Sequence, residues 1–300
     1  RATSDSLHFA IFSETPEWFF AESLGSGFSF HAIPVDVGIV QRSPFEEDLP
    51  QTREKVEKMY LTGTQIPDQL AELFLRAECR LVLCDISPAG ILAASNAGIP
   101  SVLVENFTWD WIYSGYFGQE PGLIAAAQRL QSIFAKADYH IQAEPICKPR
   151  RCDLASRPVA RRPRNSREST RKRLGVPADA KLVLITAGGI EQRYPALDVL
   201  AYAPANVQFV IPGGSDDVLR AGNVTLLPHH SEFFHPDLVY ASDAVLGKLG
   251  YSTIAEAYHA GIPFAFVPRE DFRETGPLAR FVRNQLGGTE VSYQDFASGN

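Results

Sequence analysis

Long hydrophobic runs are missing from this chain: no stretch approaches the roughly 20 apolar residues that a membrane-spanning helix needs. A protein with no transmembrane segment, working in the cytoplasm, is the expectation. Cysteine is also scarce. Cys79, Cys84, Cys147 and Cys152 are the only 4 in 300 residues, and no pair has a CxxC spacing, which argues against a disulfide scaffold and a zinc site. Reduced thiols fit that pattern. No DxD metal motif stands out in a cleft position, and Ser215-Asp216-Asp217 reads as a turn. The chain opens at Arg1 with neither an initiator Met nor a signal-peptide pattern, as a fragment or a chain that has lost its first residues does. Aromatic residues are absent from the most basic segment, 148–173, so it makes a poor nucleic-acid platform.

The 300 residues that are present suffice for about two domains, each able to bury its own core. A hydrophobic content of 45% with 21% charge is that of a globular protein. The net charge of −7 is unevenly spread: Lys148 to Arg173 holds eleven basic residues against Asp153 and Glu168, a local +9 that leaves −16 for the rest. Pro149, Pro158 and Pro163 also fall there, so the segment reads as an exposed connection, or as a lure for phosphates or an anionic partner. The expected division is a domain over 1–146, a basic linker over 147–165 and a second domain over 166–300.

Before the linker, Leu7 to Phe12 and Phe28 to Val35 read as strands, and Gln51 to Arg76 as one long amphipathic helix. Arg80 to Cys84 reads as a buried strand ending at Asp85, followed by a helix that Pro88 opens and Gly98 stops. Ile99 to Val104 is another buried strand, running into Glu105-Asn-Phe-Thr-Trp-Asp110. After the linker come a helix near Ser166 to Leu174, strands over Leu182–Thr186, Val207–Ile211 and Val224–Leu227, and a helical piece near Ala196–Tyr202. A strand ending at Val245-Leu246, a helix, the strand Phe264–Val267 and a last helix over Glu274–Gln285 complete the chain. Strands alternating with helices imply parallel sheets covered on both faces, which bind ligands beyond the carboxyl ends of their strands. Two Rossmann-like α/β domains facing across a cleft are expected.

The most informative stretch is Gly247-Lys-Leu-Gly-Tyr-Ser-Thr-Ile-Ala-Glu256. Gly247 and Gly250 leave the backbone bare after a strand, and Ser252 or Thr253 is placed to cap the helix that follows. Its first-turn N–H groups and positive dipole end suit a diphosphate. Glu256, one turn on, can accept both hydroxyls of a ribose. The alternative is an ordinary βαβ unit with a capped helix.

With both halves in view the chain resembles a glycosyltransferase of the GT-B type. Leu249 to Glu256, Ala260-Gly-Ile-Pro263 and Phe266-Val-Pro268 are similar to the nucleotide-sugar segment of the lipid II-forming N-acetylglucosaminyltransferase and its relatives. Asp85-Ile-Ser-Pro88, Ala97-Gly-Ile-Pro-Ser101, Asn106-Phe-Thr-Trp-Asp-Trp-Ile-Tyr113, Ser242-Asp243 and Leu246 to Thr253 are closer still to the glycosyltransferase-like N-terminal region of plant L-arabinokinase and its stand-alone bacterial relatives. The resemblance runs from about Thr15 to Glu290. It implies Glu256 as the ribose-binding acid. The Gly-x-Gly-His-like loop that opens such domains is not in the sequence, so the first domain reads as lacking its first βα unit. A Walker-type or sugar-kinase phosphate loop is also lacking, and kinase activity is not carried over.

Glycosyl transfer needs a held diphosphate, a stabilised leaving nucleotide and a base for the acceptor hydroxyl. Gly188, Gly189, His229, Lys248, Gly250, Tyr251, Ser252, Thr253 and Glu256 are the expected donor-binding residues, with UDP the favoured nucleotide and Arg269 a further source of positive charge. For the base, Asp85, Glu105 and Asp110 are the candidates. Asp85 and Asp110 can equally be helix caps, and Trp109 and Trp111 core. The expected reaction is a metal-independent, inverting transfer that needs no cofactor beyond the nucleotide-sugar co-substrate. A sugar-nucleotide-binding regulatory module and a sugar-nucleotide epimerase remain the alternatives.

Overall fold

The computed structural model describes residues 7–187, 194 and 196–299, and the chain divides into two compact units. The first comprises residues 7–41 and 47–156, and the second residues 42–46 with 157–299.

In the first unit β1 (Phe9–Ser13) leads through α1 (Glu17–Leu24) to β2 (Phe28–Ala32), and the two strands pair in parallel. The expected strand to Val35 stops at Ala32, and residues 33–40 run on without regular structure. A short hairpin of β3 (Gln41–Ser43) and β4 (Glu46–Glu47) follows, with its tip, 42–46, in the second unit. The single long helix expected over 51–76 is two, α2 (Leu49–Tyr60) and α3 (Ile66–Arg76). Gly63 sits at φ +78° between them, and Pro67 occupies the first turn of α3, where its missing N–H costs nothing.

Next come β5 (Val82–Asp85), α4 (Pro88–Ala97), β6 (Ser101–Glu105), α5 (Trp109–Ser114), α6 (Leu123–Phe134), β7 (Tyr139–Ala143) and β8 (Leu154–Ser156). The four strands form a parallel sheet in the order β5-β6-β7-β8. Ser87 caps α4 by accepting from the Gly90 amide at 3.1 Å, and Gly98 ends it in the left-handed conformation. Met59, Leu70, Phe74, Ala89, Ala93 and Ile99 make one buried cluster, onto which Phe12 packs edge-on against Phe74. Each such Leu or Phe side chain contributes about 1.5–3 kcal/mol by leaving water.

The second unit begins with residues 157–166 and then α7 (Arg167–Leu174), β9 (Lys181–Thr186), α8 (Leu197–Leu200), β10 (Val207–Pro212), β11 (Leu219–Ala221) and β12 (Val224–Leu227). α9 (His235–Ala241), β13 (Ala244–Lys248), α10 (Tyr251–Ala260), β14 (Phe264–Val267), α11 (Thr275–Leu286) and α12 (Tyr293–Ser298) complete it. Its six-stranded sheet has the order β11-β12-β10-β9-β13-β14, parallel throughout except for β11. The order reverses direction at β9, as in a doubly wound sheet.

Ser166 caps α7 through the Ser169 amide, and Gly175 closes it. The basic segment is less exposed than its composition predicts. Arg171 is only 9% exposed, donating to Ala180 O, to Ala241 O at 3.1 Å and to Asp243 at 3.3 Å. Asp243 also accepts from the Leu182 amide at 2.8 Å and from Arg167 at 2.9 Å. Burial raises its carboxyl, but these partners outweigh it and hold Asp243 below its ordinary value. The Ser242-Asp243 pair thus ties α7 to the start of β9.

Candidate functional site

β13 carries the second unit's chain to Lys248, and α10 starts three residues later at Tyr251. The helix is not capped by Ser252 or Thr253: Gly250 is the N-cap residue, in an extended conformation, and no side chain caps the first turn. Ser252 is exposed, Thr253 is buried inside the turn, and Lys248 is half-buried at the strand end. The two glycines differ in kind. A Cβ on Gly247 would lie 1.8 Å from Thr186 O, so that position is bare because β13 and β9 pair there. A Cβ on Gly250 would meet nothing within 4 Å, so the backbone in front of the helix is open.

Glu256, 5% exposed, points to a shared set of partners. Its Oε1 accepts from Arg161 Nε at 3.3 Å and Nη2 at 3.2 Å, and its Oε2 from His235 Nδ1 at 2.7 Å. Burial disfavours its charge, yet His235 and Arg161 prevail and hold the carboxyl below the usual range. A carboxylate offers about four acceptor positions. Arg161 and His235 fill three of them, so a grip on both ribose hydroxyls requires one of these partners to move.

Arg161 belongs to the basic segment, which contacts α10 near both of its ends. The Val159 amide donates to Tyr251 Oη at 3.0 Å, and His259 Nε2 contacts Pro158 O at 2.7 Å. Arg161 and Arg164 also lie over the Phe234 ring, at 5.1 and 4.0 Å from its centroid. Charge marked this segment in the sequence; its destination 95 residues away did not show there.

His229 and His230 are exposed beyond the end of β12, two strands from β9, whereas His235, on α9, reaches Glu256. Arg269 is buried and paired with Glu274 at 3.3 Å. Gly188 and Gly189 lie outside the described residues.

In the first unit the three expected acids have different surroundings. Glu105, 2% exposed, is held within the sheet, its Oε1 accepting from Gln142 Nε2 and meeting His140 Nε2, both at 2.8 Å. Asp110 is buried in the first turn of α5, with Oδ1 unpartnered among the described residues. Asp85 ends β5; the residue as a whole is exposed, but its carboxyl group is desolvated, which raises it above its ordinary value. It does not cap α4, since Ser87 does. Ile86, immediately after it, has φ +51°, a genuine outlier for a β-branched residue that costs about 1–3 kcal/mol.

The residue that sequence reasoning missed is Asp36. It lies in the irregular stretch 33–40, which is pinned over the C-terminal ends of β5 and β6. Ser87 Oγ donates to Val35 O at 2.9 Å, Trp109 Nε1 to Asp36 Oδ2 at 3.1 Å, and Tyr113 Oη to Gly38 O at 2.7 Å. Desolvation pushes the Asp36 carboxyl up to about 6, with the Trp109 N–H pulling down and the charges of Asp85 and Glu14 pushing up. Tyr60 Oη, buried and unpartnered among the described residues, is raised by burial and then by Asp36. Gly38 turns the chain there at φ +63°, against the rim of the Trp109 ring.

All four cysteines are free thiols. Among the described residues no helix is long and apolar enough to cross a membrane, and no group of three or more His, Cys, Asp or Glu is placed to hold a metal ion.

No family model matches the chain. It is 28% identical to L-arabinokinase of Arabidopsis thaliana over 300 positions, covering 96% of this chain and 28% of that relative's length. Among solved structures, a calicheamicin glycosyltransferase superposes with a TM-score of 0.60 at 15% identity, over 97% of this chain and 80% of its own. A spinosyn forosaminyltransferase gives 0.58 at 16%, over 96% and 80%. An Arabidopsis thaliana enzyme solved with UDP-L-rhamnose gives 0.59 at 12%, over 94% and 77%. The chain therefore has the fold of the GT-B glycosyltransferases and resembles, along nearly all of its length, a quarter or so of L-arabinokinase.

Proposed function

We propose that the chain transfers a sugar from a nucleotide-sugar donor to a hydroxyl acceptor. The observation that carries this is the start of α10: an open backbone at Gly250, a first turn without a side-chain cap, and a buried, charged Glu256 one turn on. The amides of that turn suit the donor's diphosphate, with Lys248 adding charge at the strand end. Glu256 takes a ribose hydroxyl. Tyr251, Ser252 and Thr253 frame the cradle, and Gly188, Gly189 and His229 are the further donor-binding residues in this reading.

The solved neighbour with bound UDP-L-rhamnose supports a UDP-sugar as the donor. The leaving diphosphate is stabilised by the helix end instead of a metal ion, no cofactor is needed beyond the co-substrate, and a single displacement inverts the anomeric centre. The second unit holds the donor and the first the acceptor. Free thiols fit a reducing cytoplasm. Nucleic acid is not a partner in this reading.

A second reading, binding without transfer, is favoured by the similarity to a protein named as a kinase, of which the chain spans 28%. Release of nucleotide from UDP-glucose across a panel of sugar acceptors separates the two. Transfer predicts acceptor-dependent release; tight nucleotide binding with no release in any arm supports the module.

A further inference from the structure

We propose that Asp36 is the proton acceptor for a substrate hydroxyl bound at the C-terminal edge of the first unit's sheet, with Trp109 as the residue that positions it. This rests on the transferase reading. Three oxygen groups there lack hydrogen-bond partners among the described residues: Asp36 Oδ1, the Asp85 carboxyl and the buried Tyr60 Oη. Two carboxylate acceptors match a neutral, polyhydroxylated compound such as a sugar, whose O–H groups donate to them, while Tyr60 Oη is closed to solvent. The site is built: Ser87, Trp109 and Tyr113 fix residues 35–38 from three points on α4 and α5.

Trp109 itself is not an open stacking face. Tyr113 stacks on it at 6.1 Å, Phe107 meets it edge-on at 5.0 Å and Gly38 lies against its rim, so its indole N–H has one orientation. That N–H holds Oδ2 and leaves Oδ1 for the ligand. Glu14 after β1, Asp85 on β5, Tyr60 on α2 and Tyr113 and Trp109 on α5 are the titratable or polar groups that act on Asp36, and burial with the two acids poises it to take a proton near neutrality. As the acceptor oxygen bonds to the donor's anomeric carbon, its proton passes to Asp36. The bond from that carbon to the diphosphate breaks, the nucleotide leaves with the electron pair, and Asp36 returns the proton to water.

The test follows release of UDP, GDP and dTDP from the corresponding glucose nucleotides between pH 4.5 and 8, with glycerol and free hexoses as acceptor probes. The full chain is compared with Asp36→Asn and Trp109→Phe. The expected wild-type rate falls on the acid side of about pH 6. Asp36→Asn should lower kcat by about 100-fold or more and abolish that limb while nucleotide affinity stays unchanged. Trp109→Phe removes the N–H that favours the charged carboxylate, so the limb moves to higher pH; this readout also decides the matter if Asp36→Asn does not fold. An unmoved limb in the variants overturns the proposal, as does nucleotide binding with no release from any donor; both leave the donor site standing. Absence of all nucleotide binding overturns the donor reading itself, and the proposal with it.

Discussion

Arg161 and Glu256 form a bifurcated ion pair at 3.2 and 3.3 Å, so the acid on the donor-side helix is neutralised by a residue from the segment that enters the second unit. With His235, Arg161 keeps this carboxylate below its ordinary range at a site where burial disfavours the charge. Its folded pKa is lowered, so the stability it contributes is present above the unfolded carboxylate pKa and is lost as pH falls through the lower, folded value. Glu256→Gln should therefore destabilise the fold near neutral pH by about 3 kcal/mol, the cost of stranding a buried charge, with the difference shrinking below pH ~4. Urea melts at several pH values measure it; a difference that stays constant down to pH 3 would contradict the pairing.

The glycines of the same strand-helix turn should respond oppositely to substitution. Gly247→Ala drives a Cβ into Thr186 O and should cost about 3 kcal/mol or more, by forcing β13 off β9. Gly250→Ala adds its methyl to open space at an allowed φ of −150° and should cost less than about 1 kcal/mol. Thermal melts of the two variants side by side check this. Equal losses would show that the turn is packed differently.

Asp243 is a structural acid, held by Arg167, Arg171 and the Leu182 amide. Asp243→Asn weakens its ties to Arg167, Arg171 and the β9 amide, and should lower stability by about 1–3 kcal/mol. Nucleotide affinity, measured below the melting transition, should be unchanged. A selective loss of binding in a fully folded variant would move Asp243 into the site.

Asp36 offers a prediction of the opposite sign. Its folded pKa is raised from 3.8 to about 6, so its favourable contribution is complete below the unfolded value and is lost as pH rises through about 6. At pH 7 the charged carboxylate costs the fold about 3 kcal/mol, two units at 1.36 kcal/mol each. Asp36→Asn should recover much of that at pH 7 and little at pH 4. A variant less stable than wild type at pH 7 would show that the charged carboxylate is satisfied in the folded protein.

The alternation of strands and helices was legible because buried parallel strands are continuous apolar runs, as in Leu182–Thr186 and Phe264–Val267, with glycines closing the helices between them. Leu154–Ser156 escaped notice because an edge strand of three half-exposed residues has no such run, and it sits in a stretch whose charge and prolines signal a connection. The split between α2 and α3 was signalled by Gly63 and Pro67, but the amphipathic pattern continues on both sides and hid it. Gly247 and Gly250 look alike in sequence; only the neighbouring strand distinguishes a bare backbone needed for packing from one open to a ligand. Asp36 was invisible for a related reason. It belongs to no motif, and its character comes from Trp109, 73 residues away, and from acids on other elements.

Calorimetric titration of UDP, GDP and dTDP into the folded full chain and into Gly250→Val tests the donor site at α10 directly. The valine's Cβ meets nothing within 4 Å in front of α10, so the variant should fold, at a cost of about 1 kcal/mol for a poorer N-cap, and block the diphosphate. Saturable binding of one nucleotide, UDP first among them, is expected, with at least about a tenfold loss in the variant, ~1.4 kcal/mol. Equal affinity in both proteins, or no binding of any of the three at millimolar concentration, would contradict it.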